Sequence, residues 1–503
     1  MTNENDFDER FMESFSSDSS DTSKSMKIAW QQQDAVGKYN RTVLNNIIAE
    51  NRTRPVKVPQ VVVLGAGDSF RYAFLQRQLQ PLLSNNERLT MEDFLKNVDL
   101  TALNFMKTGT IRNIGLSLTQ PQMKSPTNCE DTLEFVANLN VLPVKKFFMK
   151  VGTNVGNGEG DGYLTLQWKN IFGGGELLNF DTNLSLNGLG TKNKSQYLLN
   201  YSMPLNNNPN LKFDSLVYHS SRLIDYTTYH DQYSTGITNR ISSNFFPSEK
   251  KFNHELSFEN LLRGIKMAYS PNNYRGNSLV NDYFLMNAGH SLKSSLCYTL
   301  KYDSRDSLVL SRHGNALKIS SELSILPGSR FLKNCLESSS SLPLTDTSCL
   351  NINWKLGLIT RLYGDPVNPM DKFQLGGPND MRGFMLSGMG PKQMGMSIGG
   401  DAFFAAGISL FNKIPFVAKD SNFKMHSFLN TGKLINVGSY KDGGSISDIA
   451  RGVTTEVDLS AGLGVVYAHP AARFELNYTL PLVAHSGDDL RRGLQWGIGL
   501  SFL

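Results

Sequence analysis

Several stretches of this 503-residue chain carry residue types that do chemistry elsewhere, and each lacks the partners that the chemistry needs. Gly65-Ala-Gly67 follows the apolar run Val61–Leu64 and precedes a helical period, the setting of a dinucleotide-binding turn. Phe70 stands at the third glycine position, and a second helix follows where a parallel strand with an acidic ribose ligand belongs, so the turn is read as structural. Gly395-Met-Ser397-Ile-Gly399 has the G-x-S-x-G form of a nucleophile elbow, yet it leads into a strand instead of joining strand to helix, and no catalytic role is assigned to Ser397. The four cysteines, Cys129, Cys297, Cys335 and Cys349, show neither C-x-x-C nor a Cys/His metal spacing. Free thiols are expected; Cys335 and Cys349 bracket the Ser-rich segment LESSSSLPLTDTS and would close a loop only in an oxidising compartment. The eight histidines are scattered without H-E-x-x-H. No catalytic residue, cofactor or metal site is expected, and the chain is read as a non-enzyme.

Composition narrows the class. The chain is 40% hydrophobic and 19% charged, with a net charge of +5 that forms no basic run and no nucleic-acid-binding motif, so nucleic acid is excluded as an expected partner. No apolar run reaches the ~18 to 20 residues of a spanning helix, which leaves a closed β-barrel as the one way for this chain to cross a bilayer. Residues 1–50 open on MTNENDFDERFMESFSSDSSD, an acidic, polar stretch with neither a secretory signal nor an Arg-rich presequence, expected to be disordered in part.

Residues 51–144 read as one small α+β domain of order β-α-α-β-β. PVKVPQVVVL is a strand, and Phe70, Phe74, Leu75, Leu79 and Leu82 have helical spacing. A second helix starts at the Thr90/Asp93 capping box and keeps Met91, Phe94, Leu95, Val98, Ala102 and Phe105 on one face. Strands at 114–118 and 133–141 complete it. From residue 145 to 503 the helical period gives way to alternation between Gly, Asn and Asp-rich turns, as in GYLTLQWKNIF and LLNFDTNLSLN. Alternation also describes a soluble sandwich, and a sequence cannot show which face is inside; the scale, roughly sixteen strands, predicts an antiparallel transmembrane barrel.

A long non-alternating segment, 363–396, interrupts the strands and marks a functional loop. Its core runs Leu375-Gly-Gly-Pro-Asn-Asp-Met-Arg382-Gly383-Phe384. A guanidinium presents five fixed donors, which suits a polar lumen, and Gly383 permits a tight turn. Further on, Phe428-Leu-Asn430-Thr-Gly432 places Phe428, Asn430 and Gly432 on one strand face with His426 beside them.

The Arg382-Gly383-Phe384 loop resembles the R-G-F/Y loop of the insertase superfamily that includes bacterial BamA, in which the loop folds into the barrel and its arginine is anchored to the inner wall. The resemblance implies that Phe428, Asn430 and Gly432 are that anchor; bacterial relatives carry an aspartate where this chain has Asn430. The F-x-N-x-G form and the LGGPND lead-in look like the mitochondrial branch, the barrel subunits of the sorting and assembly machinery. Tyr302-Asp303-Ser-Arg305-Asp306 with Gly314 resembles the family's D-x-R-D…G hairpin, and the front unit resembles its polypeptide-transport-associated (POTRA) domain. The last strand, with Gln495, Gly497, Leu500 and Phe502, resembles the β-signal that marks a final strand for insertion.

The implied function is folding of β-barrel precursors into the mitochondrial outer membrane. By edge physics, the first strand, Lys146-Phe147-Phe148-Met149-Lys150-Val151-Gly152, would act as one side of a lateral gate and pair with a precursor's β-signal, while Gly497 and Gly499 weaken the closing seam. The resemblance implies as partners β-barrel precursors such as the porin and the translocase pore, two peripheral subunits on the cytosolic side, small intermembrane-space chaperones and membrane lipid. It places the front domain in the intermembrane space. A polypeptide-exporting channel and a passive diffusion pore are the rival readings.

Overall fold

Away from one apolar patch of the inner wall, the alternation in the large sheet has one sense: apolar side chains face outward and polar ones inward. In the strand Ala472–Val483, Phe474, Leu476, Tyr478 and Leu480 are exposed, whereas Arg473, Glu475, Asn477 and Thr479 are buried. The strand Gly289–Asp303 repeats this, with Leu292, Leu296 and Tyr298 outside and Lys293, Ser295 and Thr299 inside. A soluble sheet would reverse those faces, so the outer surface is built for hydrocarbon. The computed structural model describes residues 42, 43, 46, 49–65, 69–83, 89–120, 133–156, 159–185, 195–224, 230–267, 282–415, 421–437, 446–469 and 472–499. No helix among them is long and apolar enough to cross a membrane.

The chain divides into two compact units. The first takes residues up to Gly67, Gln76–Met106 and Ile111–Pro143; the second takes Asp68–Leu75, Lys107–Thr110 and Val144–Leu503. In the first, the expected leading strand is two short ones, β1 (Pro55–Lys57) and β2 (Val61–Leu64), parted at Pro59, which has no N–H to give a ladder. Helices α1 (Tyr72–Gln78) and α2 (Gln80–Leu83) follow, then β3 (Leu89–Thr90), α3 (Met91–Thr108), β4 (Ile111–Thr119), β5 (Leu133–Glu134) and β6 (Val136–Pro143). Two three-stranded sheets result, ordered β3-β1-β5 and β2-β6-β4. The Thr90 hydroxyl oxygen accepts the Asp93 N–H at 3.2 Å and donates to its carboxylate at 2.7 Å, capping α3. Phe94, Val98, Thr101 and Phe105 form the buried stripe of that helix, and β6 buries Ala137, Leu139 and Val141.

The second unit is a 16-stranded sheet in which all neighbours are antiparallel. Its strands are β7 (Phe147–Gly156), β8 (Glu159–Lys169), β9 (Leu177–Ser185), β10 (Ser195–Pro204), β11 (Leu211–Ile224), β12 (His230–Ser243), β13 (Asn253–Met267), β14 (Gly289–Asp303), β15 (Gly314–Ser324), β16 (Phe331–Pro343) and β17 (Ser348–Arg361). After a tiny hairpin, β18 (Lys392–Gln393) with β19 (Met396–Ser397), come β20 (Ala402–Lys413), β21 (Phe423–Ile435), β22 (Asp458–His469), β23 (Ala472–Val483) and β24 (Gly493–Gly499). Sequential neighbours pair throughout, with β20 next to β17 across the long loop.

The expected domain boundary at 144 is crossed by two short segments that hydrogen-bond within the barrel unit. Asn170 donates to the Ser69 carbonyl at 2.6 Å and Arg71 N–H donates to the Gly173 carbonyl at 2.8 Å, while Lys107 pairs with Glu249 at 2.9 Å. The described cysteines, Cys297, Cys335 and Cys349, are free. Cys335 lies opposite Gly357 while Cys349 lies opposite Pro343, so the β16–β17 register holds the two thiols well beyond disulfide reach. Cys129 lies outside the described residues, as does most of the acidic segment 1–50.

Two outcomes follow. Leu476→Arg, near the middle of β23 on the outer face, should cost about 2 to 4 kcal/mol in the urea unfolding of the barrel from lipid vesicles. Thr90→Ala should loosen α3 by about 1 kcal/mol, read as faster amide exchange of its first turn with the barrel amides unchanged.

Candidate functional site: the inward loop and the sheet edges

The chain between β17 and β20 folds inward because one patch of the barrel wall is apolar. Phe331, Ile359, Phe403, Ala405 and Leu434 of the wall enclose Val367, Phe373, Leu375, Met381, Phe384 and Met389 of the loop in one buried cluster. Gly376 turns this chain with φ +120°, where an added Cβ would collide with the Met385 carbonyl oxygen.

Around that core the charged groups of the loop meet opposite charges on the wall. Asp371 lies 2.7 Å from Arg263 of β13 and 3.0 Å from Lys293 of β14, and Lys333 of β16 donates to its carbonyl at 2.7 Å. Asp380 pairs with Lys355 of β17 at 2.8 Å, and Asp401 with Arg361 at 2.9 Å. At the loop's start the Arg330 guanidinium, 2.8 Å from Asp365, and the backbone N–H groups of Arg330 and Gly328 hold the Asp365 carboxyl below the usual carboxylate range.

The centre of the loop sets three consecutive residues against three wall positions of β21. Asn430 donates to the Asp380 carbonyl at 3.2 Å. Gly432 leaves room for Met381, whose sulfur would lie 3.2 Å from an added Cβ. The Arg382 guanidinium sits over the Phe428 ring, 4.9 Å from its centroid. The carboxylate that receives Arg382 is Glu475 on β23: Nε donates to Oε2 at 3.0 Å and Nη2 stands 2.9 Å from the same oxygen. Arg473 reaches the other oxygen at 2.5 Å, and Asn477, oriented by His426 at 3.0 Å, donates to Oε2 at 2.8 Å. The neutral Asn430 thus holds the loop backbone, and the ionic anchor sits two strands further round the wall. Sequence reading did not single out Glu475 or Arg473; both signs of charge on the polar face of a short strand, R-F-E-L-N-Y-T, were the available signal.

The rest of the motif grips the last hairpin. Gly383, at φ +88°, donates its N–H to the Gln495 side chain of β24 at 3.1 Å and accepts from the Arg491 N–H at 2.9 Å. Phe384 forms a bridge with Leu490, and the Asn379 amide donates to the Ile498 carbonyl at 3.1 Å. In the D-x-R-D hairpin, Arg305 and Asp303 pair at 2.7 Å, Asp306 accepts the Arg312 N–H at 2.9 Å, and Gly314 turns at φ +104°. Asp303, Arg305 and Arg473 line one polar cavity of about 320 Å³.

The sheet's two ends differ. β7 is paired to β8 from Phe147↔Trp168 to Gly156↔Glu159, and residues 146–151 are exposed on both faces, with Gly152 partly covered. β24 is short, paired to β23 from Arg473↔Gly499 to Thr479↔Gly493, with Gln495 and Gly497 buried and Trp496 and Ile498 outward. Among the described residues no ladder joins β7 to β24. Leu500 and Phe502 lie outside the described residues.

Because Glu475 lies buried between two guanidiniums, Glu475→Gln should cost about 3 to 5 kcal/mol, measured by denaturant unfolding in lipid vesicles. Replacing Arg382, Arg473 and Glu475 together by Met, Leu and Leu should recover most of the loss. A Glu475→Gln barrel as stable as wild type would show that the carboxylate charge is not what holds the loop.

The model of the Omp85 superfamily domain matches residues 170–502. The sorting assembly machinery 50 kDa subunit of Saccharomyces cerevisiae is 32% identical, over 90% of this chain and 95% of its own length. A SAM50-like protein of Schizosaccharomyces pombe is 30% identical, over 92% of this chain and 94% of its own. Among solved structures, BamA from Haemophilus ducreyi lacking POTRA domains 1–3 has the same fold, with a TM-score of 0.66 at 16% identity over 88% of this chain and 84% of that one. An inward loop tied to the wall and to the last hairpin, within a 16-stranded sheet, therefore belongs to a member of the Omp85 superfamily in its SAM50 branch, a β-barrel insertase of the mitochondrial outer membrane.

Proposed function

We propose that this chain folds β-barrel precursors by lending them the edge of β7 as a template at a lateral gate. The observation that carries the reading is the state of that strand: among the described residues it ends the sheet, is paired to β8 alone, and is exposed on both faces from residue 146 to 151. Inside lipid an unpaired strand edge is costly, so an incoming strand that satisfies it is bound by main-chain hydrogen bonds with little demand on sequence. The β-signal of the precursor competes with β24 for that edge.

β24 is the poorer competitor because it is held elsewhere. Its Gln495 side chain and its Ile498 carbonyl bond to the inward loop, and its glycines, Gly497 and Gly499, weaken it as a strand. The gate then opens by displacement of β7, with β24 kept on β23 and on the Arg382 loop. Precursor strands add one at a time, and their own folding supplies the free energy; no nucleotide or cofactor takes part. In this reading the front unit faces the intermembrane space and receives precursors such as the porin and the translocase pore from small chaperones, and two peripheral subunits complete the machinery on the cytosolic side.

The test uses the full chain in liposomes with unfolded mitochondrial porin that carries one cysteine in its last strand. A Val151→Cys variant should trap that strand as a disulfide adduct, and wild type should speed folding of the porin to its protease-protected form. Arg382→Ala should lose most of the acceleration while still forming a barrel. Adducts confined to luminal positions, with porin released on the far side of the membrane, would replace this reading with polypeptide export.

A further inference from the structure

A second group of side chains, outside the loop anchors, has the composition of a metal site. Asp458 opens β22, and His485 and Asp488 lie in the connection from β23 to β24. An imidazole nitrogen and two carboxylate oxygens of these residues all lie within 4.8 Å of one another. Asp458 is buried, and its Oδ1 accepts the His485 N–H at 2.9 Å and stands 2.6 Å from His485 Nδ1. Asp488 accepts the Gly390 N–H on Oδ1 at 3.1 Å, while its Oδ2 is shielded from solvent and has no hydrogen-bond partner. A shielded carboxylate oxygen without a donor is costly, and a cation placed among these three groups would supply what it lacks.

We propose that Asp458, His485 and Asp488 bind one divalent ion of the zinc class. One nitrogen and two carboxylate oxygens suit a borderline ion, which takes three protein ligands and a water in a tetrahedral site. Calcium and magnesium ask for six or more oxygens and near-complete oxygen coordination. Sequence spacing gave no sign of the site, since Asp458 and His485 lie 27 positions apart and meet only through the β22–β23 pairing. Bound there, the ion clips the start of β22 to the β23–β24 connection. Through the Gly390 N–H and the neighbouring Lys392–Asp489 pair at 2.6 Å, it also fastens the end of the inward loop. It would stiffen the last hairpin without touching β7, which is the division between fixed and movable edge that the gate requires.

The experiment takes the full chain in lipid nanodiscs after chelator treatment and titrates Zn²⁺ by calorimetry, with Co²⁺ absorption as a second readout. One ion per chain is expected, together with a rise in the temperature at which the barrel loses its heat-resistant mobility on a gel. His485→Ala and Asp488→Asn should each weaken binding by more than the roughly tenfold to hundredfold that follows loss of an outer hydrogen-bonding partner of a ligand. His313→Ala, in the D-x-R-D hairpin, should bind as wild type does. Each variant is first checked for heat-resistant mobility without metal, so that misfolding is separated from loss of the site. Absence of saturable binding, binding unchanged in His485→Ala, or equal binding of Ca²⁺ would each overturn the assignment.

Discussion

Glu475 is the point on which the inner architecture turns. A carboxylate shielded from water is tolerated only when opposite charge and hydrogen bonds surround it, and here Arg382, Arg473 and Asn477 do so. Arg473 and Asn477 come from the same face of β23 as Glu475, so the strand builds most of a socket and leaves Oε2 open to a donor from the loop. The loop guanidinium fills it. Once Arg382 is in place, Gly383 and Phe384 fall opposite the β23–β24 connection and β24 itself. One buried ion network therefore positions a loop, a hairpin and one edge of the sheet together.

The consequence for the barrel is asymmetry between its ends. β24 is tied to β23 by a ladder and to the loop by hydrogen bonds, whereas among the described residues β7 has its ladder to β8 alone. In the proposed gating, motion at the seam falls on the less constrained strand. In that proposal, a fixed edge next to the loop and a free edge away from it let the lumen keep its shape while the sheet opens, because the loop's other anchors, on β13, β14, β17 and β21, lie far from β7 in strand order.

Much of this was legible in the sequence, and the parts that were not share a cause. Alternation reported the strands, the capping box at Thr90 reported a helix start, and the break in alternation at 363–396 reported the loop, since each is a local pattern. Which face of the alternation is wet is not local; it depends on whether the sheet meets lipid or another layer, and only the burial of Arg473 and Glu475 against the exposure of Phe474 and Leu476 decides it. Likewise Asn430 could be read as the partner of Arg382, because both belong to a recognisable pattern. Strand registration places Asn430 opposite Asp380 and leaves the guanidinium to β23, the strand but one beyond.

That division of labour explains why an amide serves at position 430. A carboxylate there would set a second acceptor against the Asp380 carbonyl, which takes an N–H at that point. An amide donates to the carbonyl and adds no charge, so the loop backbone and the loop cation are held by different strands, β21 and β23. Holding one loop on two strands resists rotation about either contact, which a single ion pair cannot do. The price of that rigidity is a buried network that must assemble all at once, and this places docking of the loop late, after β21 and β23 are in register.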